Sequence, residues 1–153
     1  MENLKGEFLK GNMASFGRIL NRDLFIFLLD LEVKRARRYQ NFLCLMLLKI
    51  QQSSKNNNGG DFNTCYETLS NLLKMEMRES DIIGSLGENK LVILLPYADP
   101  KAGNNAKSRF EDILKYYDFS SKGFEVMISQ ICFPRNGTDT MDIFKKVLET
   151  EIS

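Results

Sequence analysis

The 153-residue chain contains no histidine and no tryptophan. Without histidine it can build no Ser-His-Asp or Cys-His nucleophile and no imidazole-ligated metal site. Carboxylates, lysines, tyrosines and thiols are left for chemistry. Cysteine is scarce too. Cys44, Cys65 and Cys132 are odd in number and form no CxxC pair, which argues against a disulfide framework or a zinc site. Read as free thiols, Cys44 and Cys132 are small hydrophobes in apolar runs, which suits a reducing cytoplasm. There is no excess of either charge: 21 Lys+Arg stand against 20 Asp+Glu, a net +1. A general nucleic-acid binder needs a basic excess to displace counterions, so no nucleic-acid partner is expected. The longest apolar runs, such as Phe42–Leu48 and Leu91–Pro96, fall far short of the ~20 residues that cross a bilayer, so no membrane insertion is expected. The first 20 residues carry charges throughout and have no continuous apolar stretch of the signal-peptide kind.

What remains is the length and composition of one ordinary domain, 43% apolar and 27% charged. From Arg22 to Tyr39, Leu24, Phe27, Leu28, Leu31 and Ala36 recur near helical spacing, with Asn21 as the cap. Phe42–Ile50 reads as a buried strand. Gln51–Gly60 is a polar loop, and Asp61 caps a helix through Leu69, Leu72, Leu73 and Met77. Asp81–Leu86 and Lys90–Leu95 are two strands around Gly87-Glu88-Asn89, a tight hairpin. Ala102–Tyr117 is a helix with Ala106, Phe110, Ile113 and Leu114 on one face. Phe124–Phe133 is a strand, and Thr138 or Asp139 caps a last helix through Ile143, Phe144 and Val147. The order predicts a single α/β (α+β) domain, its mainly antiparallel central sheet flanked by helices.

Three segments are candidates for chemistry. Lys34-Arg35-Ala36-Arg37-Arg38 is a basic patch, read as the solvated C-terminal end of a helix, where positive charge suits the dipole. Asn56–Asp61 precedes a helix but lacks the GK[ST] of a P-loop and the glycine spacing of a dinucleotide loop, so it reads as a turn and cap. The third is the hairpin, with Arg78-x-x-Asp81 before it and Gly87-Glu88-Asn89-Lys90-Leu91 at its turn.

Across residues ~15–150 the sequence resembles a GGDEF domain, the fold of diguanylate cyclases. The resemblance rests on pieces in a shared order: Leu20-Asn21-Arg22 and Phe25, then Arg35-Ala36-Arg37-Arg38-Tyr39, the apolar strand, Arg78-x-x-Asp81, the hairpin, and Pro134…Gly137-Thr138-Asp139. Gly59-Gly60-Asp61-Phe62 spells most of the family's name but stands before a helix; the signature position is the hairpin turn. The resemblance implies a lead-in segment over residues 1–20 and a degenerate GGDEF-like domain over 21–153, truncated in its last helix.

It also implies where a two-metal cyclase would hold Mg²⁺. Those positions fall on Lys49 (with Gln51 as the next equivalent), Asn89 and Lys90, and Glu88 replaces a signature glycine. An ammonium cannot ligate a hard cation that needs oxygen. No catalytic residue, metal or cofactor is therefore expected, and the chain is expected not to be an enzyme. The family's second site fares better. Its RxxD motif binds cyclic di-GMP, and Arg78 and Asp81 stand at the family's spacing from Gly87, with Arg109 as a further arginine. The resemblance thus implies an inactive signalling domain of a bacterial cytoplasm that binds cyclic di-GMP through Arg78, Asp81 and Arg109. Such a domain would regulate a protein partner or form a homodimer. The alternative is an interaction or dimerisation module with no nucleotide ligand.

Overall fold

The computed structural model describes residues 19–53 and 61–152. Helix α1 is Arg22–Tyr39, β1 Leu43–Gln52, α2 Phe62–Glu76, β2 Ile82–Gly87, β3 Lys90–Pro96, α3 Pro100–Tyr117, β4 Phe124–Phe133 and α4 Thr140–Ile152, with a 3-10 turn at Phe119–Lys122. The strands form one antiparallel sheet in the order β2-β3-β1-β4. This is the expected α+β architecture. The polar loop expected over 51–60 lies largely outside the described residues.

Local chemistry sets the helix ends. Asn21 Oδ1 accepts from Leu24 N at 2.9 Å, Asp61 Oδ1 from Asn63 N at 3.2 Å, and Asp99 Oδ1 from Ala102 N at 2.7 Å. Each cap satisfies a backbone donor that has no partner inside its helix. Helix α3 starts two residues earlier than its spacing suggests, because Pro100 sits in the first turn, where a missing N–H costs nothing. At α4, Asp139 Oδ1 accepts from Asp142 N at 2.9 Å.

The central strand explains its own sequence. Alternate residues of a strand point to opposite faces, and β1 is covered on both. Cys44, Met46, Leu48 and Ile50 pack with Leu69, Leu73 and Phe110 of α2 and α3. Leu43, Leu45 and Leu47 pack with Phe25, Leu29 and Val33 of α1 and with Ile143 and Val147 of α4. A strand buried on both sides reads as a continuous apolar run. Each such leucine contributes roughly 1.5–3 kcal/mol by leaving water.

Two expectations need correction. The core face of α1 is Phe25, Leu29, Val33 and Ala36, while Leu24, Phe27 and Leu31 of the expected face are exposed. Spacing alone could not choose, because the helix is apolar on two sides. Second, Cys44 and Cys132 are not separate free thiols. They are register partners across β1 and β4, joined as a disulfide despite a sequence separation of 88. Cys65 is a free, buried thiol. Cysteine count and spacing carry no information about strand register.

Candidate functional site

The segment between α2 and β2 is a tight turn held by one carboxylate. Asp81 N donates to Arg78 O at 3.0 Å. In return Asp81 Oδ2 accepts from Arg78 N at 2.9 Å, and Oδ1 accepts from the Arg78 guanidinium at 3.1 Å. The Asp81 side chain is 0% exposed, whereas that of Arg78 is 57% exposed. A buried carboxylate is costly unless it is paired and hydrogen-bonded, and here it is both. Asp81 is therefore a fixed anchor, and Arg78 presents the rest of its planar fork to solvent. Sequence reasoning gave both side chains to a ligand. The geometry divides the work: Arg78 is accessible, and Asp81 positions it.

Arg109, on α3, comes to the same corner by another route. Its Nε lies 3.7 Å from Glu76 Oε2, at the last residue of α2 and two positions before Arg78. Both side chains are partly exposed, so this contact is a loose ion pair. Glu76 was not singled out from the sequence; only its place beside the Arg78 turn could have drawn notice. The corner therefore carries two guanidinium groups, one locked and one loosely held. Such groups offer paired N–H donors to phosphate oxygens or to the acceptor edge of guanine.

The hairpin turn is a second place. Lys49 and Lys90 are register partners at the end of β1 and β3. Ile50 N donates to Asn89 O at 2.9 Å, so Asn89 is fixed by its backbone. Glu88 is exposed. Gln51 turns the other way, its Nε2 donating to Glu125 Oε2 of β4 at 3.3 Å. The structure thus brings Lys49, Asn89 and Lys90 to one end and sends Gln51 to the neighbouring strand. Lys49 and Lys90 do not fit a hard divalent cation, because an ammonium has no lone pair to give. Among the described residues no group of three or more His, Cys, Asp or Glu could hold a metal ion.

The family model described as "Diguanylate cyclase, GGDEF domain" matches residues 14–147. The chain belongs to the GGDEF family. Solved structures agree on the fold. A diguanylate cyclase protein from Thermotoga maritima is 16% identical with a TM-score of 0.73, over 88% of this chain and 97% of that one. The active GGEEF domain of a diguanylate cyclase from Vibrio cholerae is 13% identical with a TM-score of 0.71, over 86% and 88%. The GGDEF domain of DgcB from Caulobacter crescentus, in complex with c-di-GMP, is 11% identical with a TM-score of 0.69, over 86% and 80%. No curated protein matches the sequence.

The family overturns one expectation. The chain was expected not to be an enzyme, yet the model that matches it is that of a cyclase domain, and an active cyclase is among its structural neighbours. The error has a physical source. Side chains at Lys49, Gln51, Glu88, Asn89 and Lys90 say which ligands those atoms can offer a metal. They do not define a whole domain's activity, and none of them belongs to the buried clusters that make the fold.

No helix among the described residues is long and apolar enough to cross a membrane.

Proposed function

We propose that this GGDEF domain binds cyclic di-GMP at the corner between α2, β2 and α3, with Arg78 as the principal contact, Asp81 as its positioning residue and Arg109 as a second guanidinium. The observation that carries the reading is the Arg78–Asp81 pair: an exposed guanidinium oriented by a fully covered carboxylate. A side chain locked by its neighbour loses less rotamer freedom when a ligand arrives, so more of its interaction energy appears as affinity. Cyclic di-GMP supplies what the corner lacks, two phosphates and two guanine edges rich in acceptors. A structural neighbour, the DgcB domain, is described in complex with c-di-GMP, which supports the ligand class. Occupancy of the corner is then the signal that the domain passes to a protein partner.

Titration calorimetry tests this. The wild-type chain should release heat with cyclic di-GMP and fit a dissociation constant of about micromolar order. Arg78→Ala should abolish that heat while leaving the fold intact, and Arg109→Ala should weaken binding less. No heat from the wild type, or an unchanged isotherm in Arg78→Ala, would overturn the proposal.

A further inference from the structure

The two edges of the sheet are finished differently. Along β2, Leu20 closes the edge: Leu20 N donates to Ile83 O at 3.0 Å, and Ser85 N donates to Leu20 O at 2.8 Å. Among the described residues no strand lies beyond β4, which ends the order β2-β3-β1-β4. Ser53 N donates to Gly123 O at 2.8 Å, on the register that pairs Gln52 with Phe124. Ladder bonds of an antiparallel pair fall on every second residue. Glu125, Met127 and Ser129 therefore turn their main-chain groups toward β1, and Phe124, Val126, Ile128 and Gln130 turn theirs outward. Cys132 has the outward phase too, and its groups are taken: its N donates to Asn136 Oδ1 at 2.8 Å, and its O accepts from Asn136 N at 2.7 Å. The edge is closed at Cys132 and open before it. An edge strand is normally blunted by lysine, proline or a bulge. Residues 124–130 contain neither lysine nor proline, and the pairing with β1 runs through β4 without a slip.

A groove of about 400 Å³ lies along this open edge. Phe124, Val126 and Ile128 line it together with Leu114 of α3 and Phe119 of the 3-10 turn. The residues whose main chain points outward thus also present apolar side chains to the groove. An unpaired edge beside apolar slots at every second residue is what an extended chain needs in order to dock. The charged part of the lining selects its sign. Glu111, Asp118 and Glu125 stand there against Lys115 alone. Asp118 accepts from Ser120 Oγ at 2.8 Å and Glu125 from Gln51 Nε2 at 3.3 Å, neutral donors that leave both charges in place. The ion pairs of the described residues use other carboxylates. We propose that β4 is a docking edge for a partner protein, which adds an extended segment as a further strand, with apolar side chains in the groove and lysine or arginine between them.

Main-chain bonds to Val126, Ile128 and Gln130 hold the segment, and the groove and the carboxylates choose it. A basic side chain opposite Glu125 makes a cross-strand ion pair. A short segment buries little surface, so the isolated contact belongs to the weak class, with a dissociation constant on the order of 100 µM. Arg78, Asp81 and Arg109 do not line the groove, and β2 and β4 are opposite edges of the sheet. Docking at β4 therefore does not depend on the corner being occupied.

Amide-resolved NMR of the full chain without nucleotide tests this, with a short end-blocked peptide of alternating valine and lysine as the probe. The peptide should bind with a dissociation constant on the order of 100 µM. Amide exchange at Val126, Ile128 and Gln130 should be fast in the free chain and slow about tenfold on binding, while Met127 and Ser129, already bonded to β1, stay as they were. Methylating the peptide's amides at alternate positions should abolish binding in one phase and spare it in the other. The glutamate–valine counterpart should bind about tenfold more weakly. Glu111 and Glu125 are exposed, so Glu111→Lys with Glu125→Lys should leave the fold intact and weaken the lysine peptide about fivefold. No binding by about 2 mM, or binding that leaves those three amides fast, would overturn the proposal. So would loss of binding in both methylated phases or in neither, equal binding of the acidic peptide, or unaltered binding by the charge-reversed chain. Slow exchange at the three amides before any peptide is added would overturn it as well. If that protection were independent of protein concentration, another segment of the chain would be covering the edge; if it rose with concentration, a second copy would be.

Discussion

β2 is six residues long, and its two ends are built on different terms. At its start, one buried carboxylate holds the turn and orients Arg78. At its other end, Gly87 has open space around it, Glu88 is exposed, and the register slips between Ser85 and Gly87. The first end is tied down by a buried side chain, the second by main-chain bonds such as Ile50 N to Asn89 O at 2.9 Å. Chemistry at the hairpin turn can therefore change without disturbing the sheet. A fold shared at a TM-score of 0.73 with only 16% identity shows how little of the sequence the architecture itself requires. Overall likeness is a statement about the buried clusters; what the exposed turn does has to be read from the turn.

The largest expected effect falls at the tied end. Asp81→Ala removes the acceptor of Arg78 N and of the guanidinium, and leaves the backbone donor without its carboxylate partner. It should cost about 2–3 kcal/mol in denaturant unfolding and abolish cyclic di-GMP binding together with Arg78→Ala. Arg78→Ala should cost only about 1 kcal/mol, because water reaches Asp81 once the exposed guanidinium is gone. If the two variants were equally destabilised, the division into anchor and contact would be wrong.

A smaller effect should appear at a carboxylate that does a similar job in the open. Asp142 Oδ2 accepts from Thr138 Oγ1 at 2.8 Å and from Thr138 N at 3.2 Å, at the start of α4. The Thr138 hydroxyl bond, and then the backbone bond, hold its carboxyl below the ordinary value of 3.8. Asp30 is lowered likewise, first by Lys34 and then by Thr140. For both, the folded value lies below the unfolded one. Their contribution to stability is therefore fully present above the ordinary aspartate range and is lost as pH falls through the folded values. Asp142→Asn should flatten part of the stability loss on acidification below the ordinary aspartate range. It should also destabilise the domain less at neutral pH than Asp81→Ala does. An unchanged acid limb in Asp142→Asn would remove the carboxylate from that account.

How much of this was legible in the sequence differs by element. The α2 and β4 segments read well, α2 because Asp61 caps it, while the start of α3 was missed by two residues because its Asp99 cap and Pro100 went unread. Helix α1 misled because Leu24, Phe27 and Leu31 match helical spacing as well as Phe25, Leu29 and Val33 do. Only the sheet decides which set is inside. The pairing of Cys44 with Cys132 was invisible for a related reason: it depends on the register of β1 against β4, and register is a tertiary fact. At the site, spacing found Arg78 and Asp81 but not the covering of Asp81. Nor did it find that Arg109 leans on Glu76.

The smallest effect should be at Gly87. A Cβ built there meets no atom within 4 Å, and the residue has no positive φ to strain a larger side chain. Gly84, three residues earlier, is the opposite case, since a Cβ there would lie 2.6 Å from the Phe25 ring. Gly87→Ala restricts the unfolded chain more than it disturbs the folded one, so stability should change by between zero and about +0.5 kcal/mol. Binding of cyclic di-GMP should be unaltered, because Arg78 sits at the far end of the strand. A clear loss in either measurement would mean that the hairpin turn is packed or coupled to the corner, and the two ends of β2 would no longer be independent.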